Sequence, residues 1–381
     1  MSHSLPLFGV VSTTDMEQIA IKILRSGQIA SGPYVDMFEA GFASLIDCHY
    51  ALAINDMTNA IHLALRLAKV EAGDEVITTS FSCMASNSPI ALCGASPVWV
   101  DIKENSVEVD PILFEAAITS KTKAAIIYHV AGYASQIDEI ADICKRYNIK
   151  LIEDCNNSLL ATLNGKNLGS FGDYSIFSFY PNRQINCTEG AMLICKDKGD
   201  YKLGKQLRRL GIDFSIFRNE IGEIDPNADI PIANSAMSLN NLCSALGYMQ
   251  LKNVKSRLEK SKNNANFYRT ALMALPTVKI VSTLVNSEAA HWVFLVQVKN
   301  RDEIISFMKN NGVNVSSLHQ RNDVYSCFNA EPKKNIPNTV FLQETILALP
   351  CGWWLSSADV QLIVEVLRKA ILITRSTPSL I

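Results

Sequence analysis

The chain has 381 residues, of which 48% are hydrophobic and 19% are charged, so it can bury a large core and is not expected to be disordered. Its formal net charge of −2 gives no reason to expect nucleic acid or an anionic membrane as a partner. No uncharged apolar run reaches the roughly 18 residues of a membrane span, and the N-terminus lacks the basic-then-apolar pattern of a signal peptide.

The ten cysteines and six histidines are scattered along the chain. No two cysteines form a Cys-x-x-Cys pair, and none has metal-ligand spacing with a histidine. We therefore expect the reduced thiols of a cytoplasmic protein and no metal site.

The first predicted elements are two helices. Apolar residues recur at helical spacing over residues 14–25, where Thr13 or Thr14 can cap the helix. The sequence Ser31-Gly32-Pro33 breaks the pattern, and a second helix runs through Phe38, Phe42 and Leu45.

Strands and helices then alternate. Helical patterns such as Asn59–Ala68 and Ile137–Tyr147 lie between short apolar runs. The predicted strands are Ala51–Ile54, Glu75–Thr78, Val98–Val100, Ala124–Tyr128, Lys150–Ile152, Tyr174–Phe179 and Ala191–Cys195. This alternation predicts the α/β class, with a doubly wound, mostly parallel sheet covered by helices on both faces.

The length favours two domains, which we place at residues 1–245 and 246–381. A helical stretch from Asn240 to about Leu275 links them. The second part has strands such as Trp292–Val298 and helices such as Asp302–Asn310 and Ala358–Leu372. It is therefore predicted to be a small α+β domain.

One strand ends in two acids and another runs into a conspicuous loop. Lys150–Asp154 ends in Glu153 and Asp154, and ligands of open α/β sheets sit at the carboxyl ends of strands. A helix cap is the alternative role for such an acid. The second segment, Ser178-Phe179-Tyr180-Pro181-Asn182-Arg183 followed by Thr188-Glu189-Gly190, resembles the cofactor-anchoring motif of the DegT/DnrJ/EryC1/StrS family of pyridoxal-phosphate (PLP) sugar aminotransferases.

The resemblance extends along nearly the whole chain. It implies the aspartate-aminotransferase fold (fold type I), with a large PLP-binding domain and a small C-terminal domain. The segments that carry it are Arg25–Pro33, Gly94–Asp101 and Gly169–Asp173, and three more resemble a subgroup acting on nucleotide-linked deoxysugars, namely Arg209–Asp213, His319–Asp323 and Leu349–Gly352.

By this resemblance, Asp154 pairs with the pyridine nitrogen of PLP and keeps it protonated. Asn157 stands where relatives place a longer polar residue beside the phenolic oxygen. Cys83 stands where relatives often stack an aromatic on the ring, while Phe81 nearby is expected in the core.

The resemblance also implies a phosphate site. It consists of the amide of Met57, the hydroxyl of Thr58 and the hydroxyl of Ser178, with the helix start supplying amides. Asp56 replaces a family serine, and because an acid beside a phosphate is unfavourable, we expect its side chain to point away.

Two further groups are assigned by alignment with the family. Ser238 falls where a second subunit completes the phosphate site, which implies a homodimer with shared active sites. His319 and Arg321 are candidates to bind the sugar diphosphate, since arginine binds phosphate in a fork geometry. An ordinary loop of the small domain is the alternative for these two residues.

Arg183 occupies the position of the family's catalytic lysine. Lysine can lose its proton and bond covalently to the cofactor aldehyde. Arginine stays protonated and is a poor nucleophile, so PLP or its amine form is expected to bind non-covalently. The chain is either a natural member without the lysine or a lysine-to-arginine variant made to stall turnover. The otherwise intact motif favours the variant.

The implied activity is transfer of an amino group from L-glutamate to a nucleotide-linked 4-keto-6-deoxyhexose, with dTDP as the expected nucleotide. The product would serve surface-polysaccharide synthesis such as that of O-antigen. Arg183 should leave this activity absent or severely impaired. Two alternatives remain: a lysine-less sugar dehydratase that uses PLP or its amine form, and a non-catalytic homologue that binds nucleotide-sugars.

Overall fold

The structure is a computed structural model that describes residues 4–328 and 335–376. The helices are α1 Thr14–Ser26, α2 Tyr34–Ile46, α3 Met57–Leu67, α4 Met84–Leu92, α5 Pro111–Ala116, α6 Ile137–Tyr147, α7 Lys198–Leu207, α8 Asn241–Gln250, α9 Val254–Leu272, α10 Arg301–Asn310, α11 Pro337–Thr345 and α12 Ser357–Ser376. The strands are β1 Ala51–Ile54, β2 Glu75–Thr78, β3 Ser96–Trp99, β4 Thr122–Tyr128, β5 Lys150–Asp154, β6 Thr162–Leu163, β7 Lys166–Asn167, β8 Tyr174–Ser178, β9 Ala191–Cys195, β10 Lys279–Ile280, β11 Ser287–Glu288, β12 Val293–Gln297 and β13 Ile346–Pro350.

Seven strands form the central sheet in the order β1-β9-β8-β5-β4-β2-β3. Strand β9 is antiparallel to both of its neighbours, and the other pairs are parallel. Six strands therefore run in one direction and end at the same edge of the sheet. The predicted mostly parallel α/β sheet is confirmed.

Helices cover both faces of this sheet because its strands are apolar on both sides. Ala51 and Ala53 of β1 belong to the core under α2 and α6, whereas Leu52 and Ile54 belong to the core under α3. All four side chains are buried. Such runs, apolar without alternation, are typical of parallel strands buried on both faces. The doubly wound arrangement is confirmed.

The C-terminal part has its own sheet, in the order β10-β12-β13, and its own core between α9, α10 and α12. A third small sheet joins β11, β6 and β7. Leu5 pairs with Val313 and lies in the C-terminal core, so the start of the chain packs on that part. The division at residue 245 stays a prediction.

The local predictions have clear outcomes. Thr13, rather than Thr14, caps α1, and its Oγ1 accepts a hydrogen bond from the amide of Met16 at 3.3 Å. The predicted linking helix is interrupted, because a 3-10 turn at Leu251–Asn253 separates α8 from α9. Across the described ranges, no helix combines the length and apolarity that crossing a membrane requires.

Candidate active site

Functional side chains gather where the parallel strands end. Tyr128, Asp154 and Ser178 are the last residues of β4, β5 and β8, and Tyr128 lies opposite Asp154 in the strand register. Helix α3 begins with Met57, three residues after β1 ends. Since these strands are parallel, the four residues meet along one edge, where α/β proteins bind ligands.

Asp154 is a fully buried carboxylate with three donors around it. Its Oδ2 accepts a hydrogen bond from the hydroxyl of Ser86 at 2.6 Å, and its Oδ1 accepts from the backbone and side-chain nitrogens of Asn156 at 3.1 and 2.8 Å. Burial raises the pKa of Asp154, while the bonds from Ser86 and Asn156 act in the opposite direction. The carboxylate is therefore held in one orientation at the strand end.

A chain of hydrogen bonds joins Asn157, Tyr128 and His319. The Nδ2 atom of Asn157 donates to the Tyr128 hydroxyl at 2.8 Å, and that hydroxyl lies 3.1 Å from Nε2 of His319. The Oδ1 atom of Asn157 is buried and has no hydrogen-bond partner among the residues that the structure describes. Burial and the nearby Arg183 lower the pKa of His319 to about 3, so its imidazole is neutral near pH 7.

Arg183 lies in the loop after β8, against aromatic rings from distant parts of the chain. Its guanidinium carbon is 4.5 Å from the centre of the Trp292 ring. Trp292 stacks on Phe8 at 4.4 Å and 14°, and its indole nitrogen donates to the carbonyl of Asn182 at 2.7 Å. Nη1 of Arg183 donates to the side chain of Asn182. Trp292 and Asn182 therefore hold the guanidinium beside the indole ring.

The electrostatic surroundings place Arg183 in the same cluster as Asp154. Burial lowers the pKa of Arg183, and nearby Tyr128, Cys83 and Asp154 act in the opposite direction. The side chain is half-buried, with Tyr128, Cys83 and Asp154 near its guanidinium. Arg183, Asp154, Asn157 and His319 are brought together.

The predicted phosphate residues line the start of α3 and the end of β8. Met57 and Thr58 are the first two residues of α3, and amides at this position have no acceptor within the helix. The Ser178 hydroxyl accepts from the amide of Tyr180 at 3.3 Å.

Asp56 caps α3, because its Oδ1 accepts from the amide of Asn59 at 2.8 Å. A carboxylate at this position satisfies an exposed amide and complements the helix dipole. The expectation that the side chain points away from the cofactor phosphate stays a prediction. Burial and the nearby Asp56 raise the pKa of Glu189, so two acidic side chains lie close together at this edge.

Two predicted residues have other partners. The Ser238 hydroxyl donates to the carbonyl of Arg208 at 3.4 Å, and Ser238 pairs with Ile54 beside a surface groove lined by residues of 30–36 and 208–214. Nε of Arg321 lies 3.2 Å from a carboxylate oxygen of Asp323. Neither side chain contacts the Asp154 cluster through a hydrogen bond in the part of the chain that is described.

Phe81 is buried, as expected for a core residue, and its ring also meets the edge of His319 at 5.6 Å.

The loop that carries His319 is tied to residues 80–87 by Asn322. Its amide donates to the carbonyl of Ser80 at 2.8 Å, its Nδ2 donates to the carbonyl of Ser82 at 3.0 Å, and its Oδ1 accepts from Asn87 at 2.9 Å. These side chains are buried. The network fixes the position of the loop over the strand edge.

Sequence reasoning did not identify Ser86, Tyr128, Trp292 or Asn322. Tyr128 is the last residue of β4, a position that could have selected it, whereas Ser86 lies in the first turn of α4. Trp292 and Asn322 come from the C-terminal part, and their sequence surroundings carry no signal for a contact with residues so far away in the chain.

One buried group could be taken for a metal site. His129, Glu153 and Cys155 bring ligand atoms within 4.8 Å of one another. However, Nε2 of His129 lies 3.2 Å from Glu153, its Nδ1 accepts from the amide of Ser135, and Glu153 accepts three amides of residues 169–172. Glu153, with His129 beside it, therefore holds the loop of residues 169–172 in position through these hydrogen bonds.

Comparisons with known proteins show the family of the chain. Residues 12–368 match the DegT/DnrJ/EryC1/StrS aminotransferase family. The spore coat polysaccharide biosynthesis protein SpsC of Bacillus subtilis is 28% identical, with 97% of each chain covered.

Solved structures are equally similar. AtS13 from Actinomadura melliaura is 27% identical with a TM-score of 0.90, covering 97% of this chain and 99% of its own. The sugar aminotransferase CalS13 from Micromonospora echinospora is 26% identical with a TM-score of 0.90, covering 96% and 99%. The predicted aspartate-aminotransferase type of fold is confirmed, and the chain belongs to the DegT/DnrJ/EryC1/StrS aminotransferase family.

Proposed function

We propose that this chain is built as a PLP-dependent sugar aminotransferase. It would move an amino group from L-glutamate to a 4-keto-6-deoxyhexose linked to a nucleotide, with dTDP as the nucleotide. The observation that carries the proposal is the buried Asp154 carboxylate at the end of β5 with Arg183, at the family's lysine position, directed into the same cluster. Family membership supports the reaction class.

The residues present fit PLP. The cofactor needs an acid for its ring nitrogen, a polar group for its phenolic oxygen and donors for its phosphate. Asp154 is a buried acid, and Asn157 has a buried Oδ1 without a partner. The start of α3 offers amides beside the hydroxyls of Thr58 and Ser178.

When bound, PLP supplies a protonated ring that accepts electrons from a reacting carbon. Asp154 would hold the proton on the ring nitrogen, with Ser86 and Asn156 fixing the carboxylate. Asn157 would contact the phenolic oxygen, and its bond to Tyr128 would orient its amide. Met57, the hydroxyls and α3 would bind the phosphate.

Arg183 would prevent turnover. Burial lowers its pKa, but a guanidinium remains cationic and its nitrogens remain poor nucleophiles. The chain would therefore hold PLP or its amine form without a covalent bond. A lysine here would supply both the missing nucleophile and the missing proton carrier.

A second copy of the chain would complete the site. Ser238 lines a groove with residues of 30–36 and 208–214. The neighbouring segment exposes large apolar side chains, among them Phe214, Ile216 and Ile221, and such exposure is typical of a surface that is covered by a partner. We propose a homodimer in which Ser238 reaches the phosphate of the other subunit.

The biological setting is proposed from relatives. SpsC is named for spore coat polysaccharide biosynthesis, which supports a sugar destined for a surface polysaccharide, such as O-antigen. The scattered reduced thiols support a cytoplasmic setting.

Restoring the lysine tests the proposal. The Arg183→Lys variant, with PLP, should gain the visible absorbance band of covalently bound cofactor, which the arginine chain should lack. With ¹⁵N-labelled L-glutamate and dTDP-4-keto-6-deoxyglucose, mass spectrometry should find labelled amino sugar only with the lysine variant.

Asp154→Asn in the lysine background is the matched control. It preserves the size of the side chain but cannot hold the ring proton, so it should bind PLP and lose most of the activity. If the lysine variant binds PLP covalently and aminates no keto-sugar in a panel of nucleotides and keto positions, the aminotransferase proposal fails. A non-catalytic nucleotide-sugar-binding homologue would then be the better description.

The sugar dehydratase remains the second candidate because of His319. This residue is a neutral imidazole close to Arg183, and a neutral imidazole can accept a proton. The same incubation, with the arginine chain and the amine form of the cofactor, distinguishes the two activities. Release of a deoxygenated sugar by this chain, and loss of that release in His319→Gln, would favour the dehydratase.

A further inference from the structure

Arg183 is a half-buried side chain with a hydrogen-bond donor that has no acceptor in the described ranges. Nη1 donates to Asn182, whereas Nε is buried and has no acceptor in the described ranges. Arg257 offers a comparison, because its guanidinium also lies over a tryptophan, Trp353. Its Nε donates to the carbonyl of Gln184 at 3.0 Å and its Nη2 to that of Gln250 at 3.2 Å. Arg183 therefore differs from Arg257, while Nε of Arg368 is the other arginine Nε that is buried without an acceptor in the described ranges.

Arg183 also lacks a counter-charge. Within residues 4–328 and 335–376, no carboxylate lies at ion-pair distance from it, although eight other ion pairs are found. Asp154 is nearby, but its oxygens accept from Ser86 and Asn156. Arg183 is half-buried, and a partly desolvated cation without a paired anion favours an anionic ligand.

The geometry restricts the kind of anion. Trp292 covers one face of the guanidinium and Phe8 backs Trp292, so donors remain along the edge of the guanidinium plane. A planar carboxylate matches such an edge with two parallel hydrogen bonds. The unpartnered Nε lies on that edge.

We propose that Arg183 is a carboxylate receptor that holds a small amino acid or 2-oxo acid in the site. This assignment rests on the proposed function, because the amino donor and its oxo acid are the carboxylate ligands of that reaction, while the phosphate is assigned to α3. Binding requires no covalent step. Arginine at position 183 would then bind the amino donor or its oxo acid at the position where the lysine of relatives takes part in the reaction.

Calorimetric titration of the full chain with 2-oxoglutarate, with and without PLP, tests the proposal. Arg183→Gln, which preserves much of the size but has no charge, should weaken binding by about 10-fold to 100-fold, the range for a charge-assisted hydrogen bond. Arg183→Lys should also weaken binding, because lysine lacks the fork. Arg257→Gln is the matched control and should leave affinity unchanged.

Tryptophan fluorescence assigns the position. Of the four tryptophans, Trp292 touches Arg183, so 2-oxoglutarate should change the emission of the parent chain and not that of Trp292→Phe. Circular dichroism confirms that each variant is folded. The proposal fails if the parent chain does not bind 2-oxoglutarate at millimolar concentration, or if folded Arg183→Gln binds it as tightly as the parent.

These outcomes are independent of the lysine-restoration experiment. Amino transfer by Arg183→Lys would support the proposed function even if the arginine chain does not bind 2-oxoglutarate. Conversely, tight binding that depends on Arg183 would stand if the lysine variant transferred nothing.

Discussion

Removing the hydroxyl of Ser86 should destabilise the protein in a way that depends on pH. Ser86 is fully buried and donates to Asp154 at 2.6 Å. A hydrogen bond to a charged group contributes about 1.5–3 kcal/mol, and one between neutral groups about 1 kcal/mol. Ser86→Ala should therefore lower the free energy of unfolding by about 1.5–3 kcal/mol where Asp154 is ionised and by about 1 kcal/mol where it is protonated.

The sign of the pH dependence follows from the direction of the pKa. Burial raises the pKa of Asp154 above its ordinary value of 3.8, so the folded state holds the proton more tightly than the unfolded state. Stability from this group is present at low pH and decreases as pH rises through the folded pKa. Because Ser86 opposes this shift, Ser86→Ala should deepen the decrease, and the difference between the two proteins should grow with pH.

Urea unfolding of both proteins, from the lowest pH at which they fold up to pH 8, measures this difference. Ser158→Ala is the matched control: Ser158 is equally buried, but its hydroxyl donates to a neutral carbonyl, that of His129, at 3.2 Å. Its cost should be about 1 kcal/mol at every pH. A Ser86→Ala cost that is as flat as that of Ser158→Ala would refute the assignment of an ionisable, Ser86-supported carboxyl.

Two further predictions concern charge. Burial lowers the pKa of His291 to about 3, so protonation of the unfolded state below the ordinary value of 6.5 should cost about 2 kcal/mol of stability at pH 5. Asparagine tolerates the backbone φ of 47° at this position, so His291→Asn should fold and should make the free energy of unfolding less dependent on pH between pH 5 and 7. An unchanged slope would contradict this prediction. Asp56→Ser keeps a capping residue but removes a negative charge at the proposed phosphate site. Equilibrium dialysis should therefore find that the variant binds PLP about 5-fold tighter. Equal or weaker binding would show that the charge of Asp56 does not repel the phosphate.

The elements of the large domain could be predicted because each is encoded locally. Helix α6 has the predicted bounds Ile137–Tyr147, since its apolar period and its flanking residues agree. The linking helix was predicted without its break, because residues 251–253 contain no proline or glycine. The interruption there is set by packing, with α8 against α1 and α2 and α9 against the C-terminal part.

The site could be predicted where it follows a strand end and not where it depends on contacts between distant segments. Asp154 was found because a strand pattern ends in two acids there, whereas Ser178 was assigned from the resemblance to the family. The capping role of Asp56 was not predicted, although an acid directly before a helix is a common cap. Trp292 lies 109 residues after Arg183 in the sequence, and no local sequence pattern predicts that the two side chains are in contact.

The stack around Arg183 bears on how position 183 tolerates substitution. Trp292 is held by its own hydrogen bond to the carbonyl of Asn182 and by Phe8, so the aromatic wall does not depend on the side chain at 183. Asp154 is likewise oriented by Ser86 and Asn156. The surrounding site is therefore organised without a lysine, and exchange of one residue at position 183 can alter the chemistry while the rest of the site keeps its form.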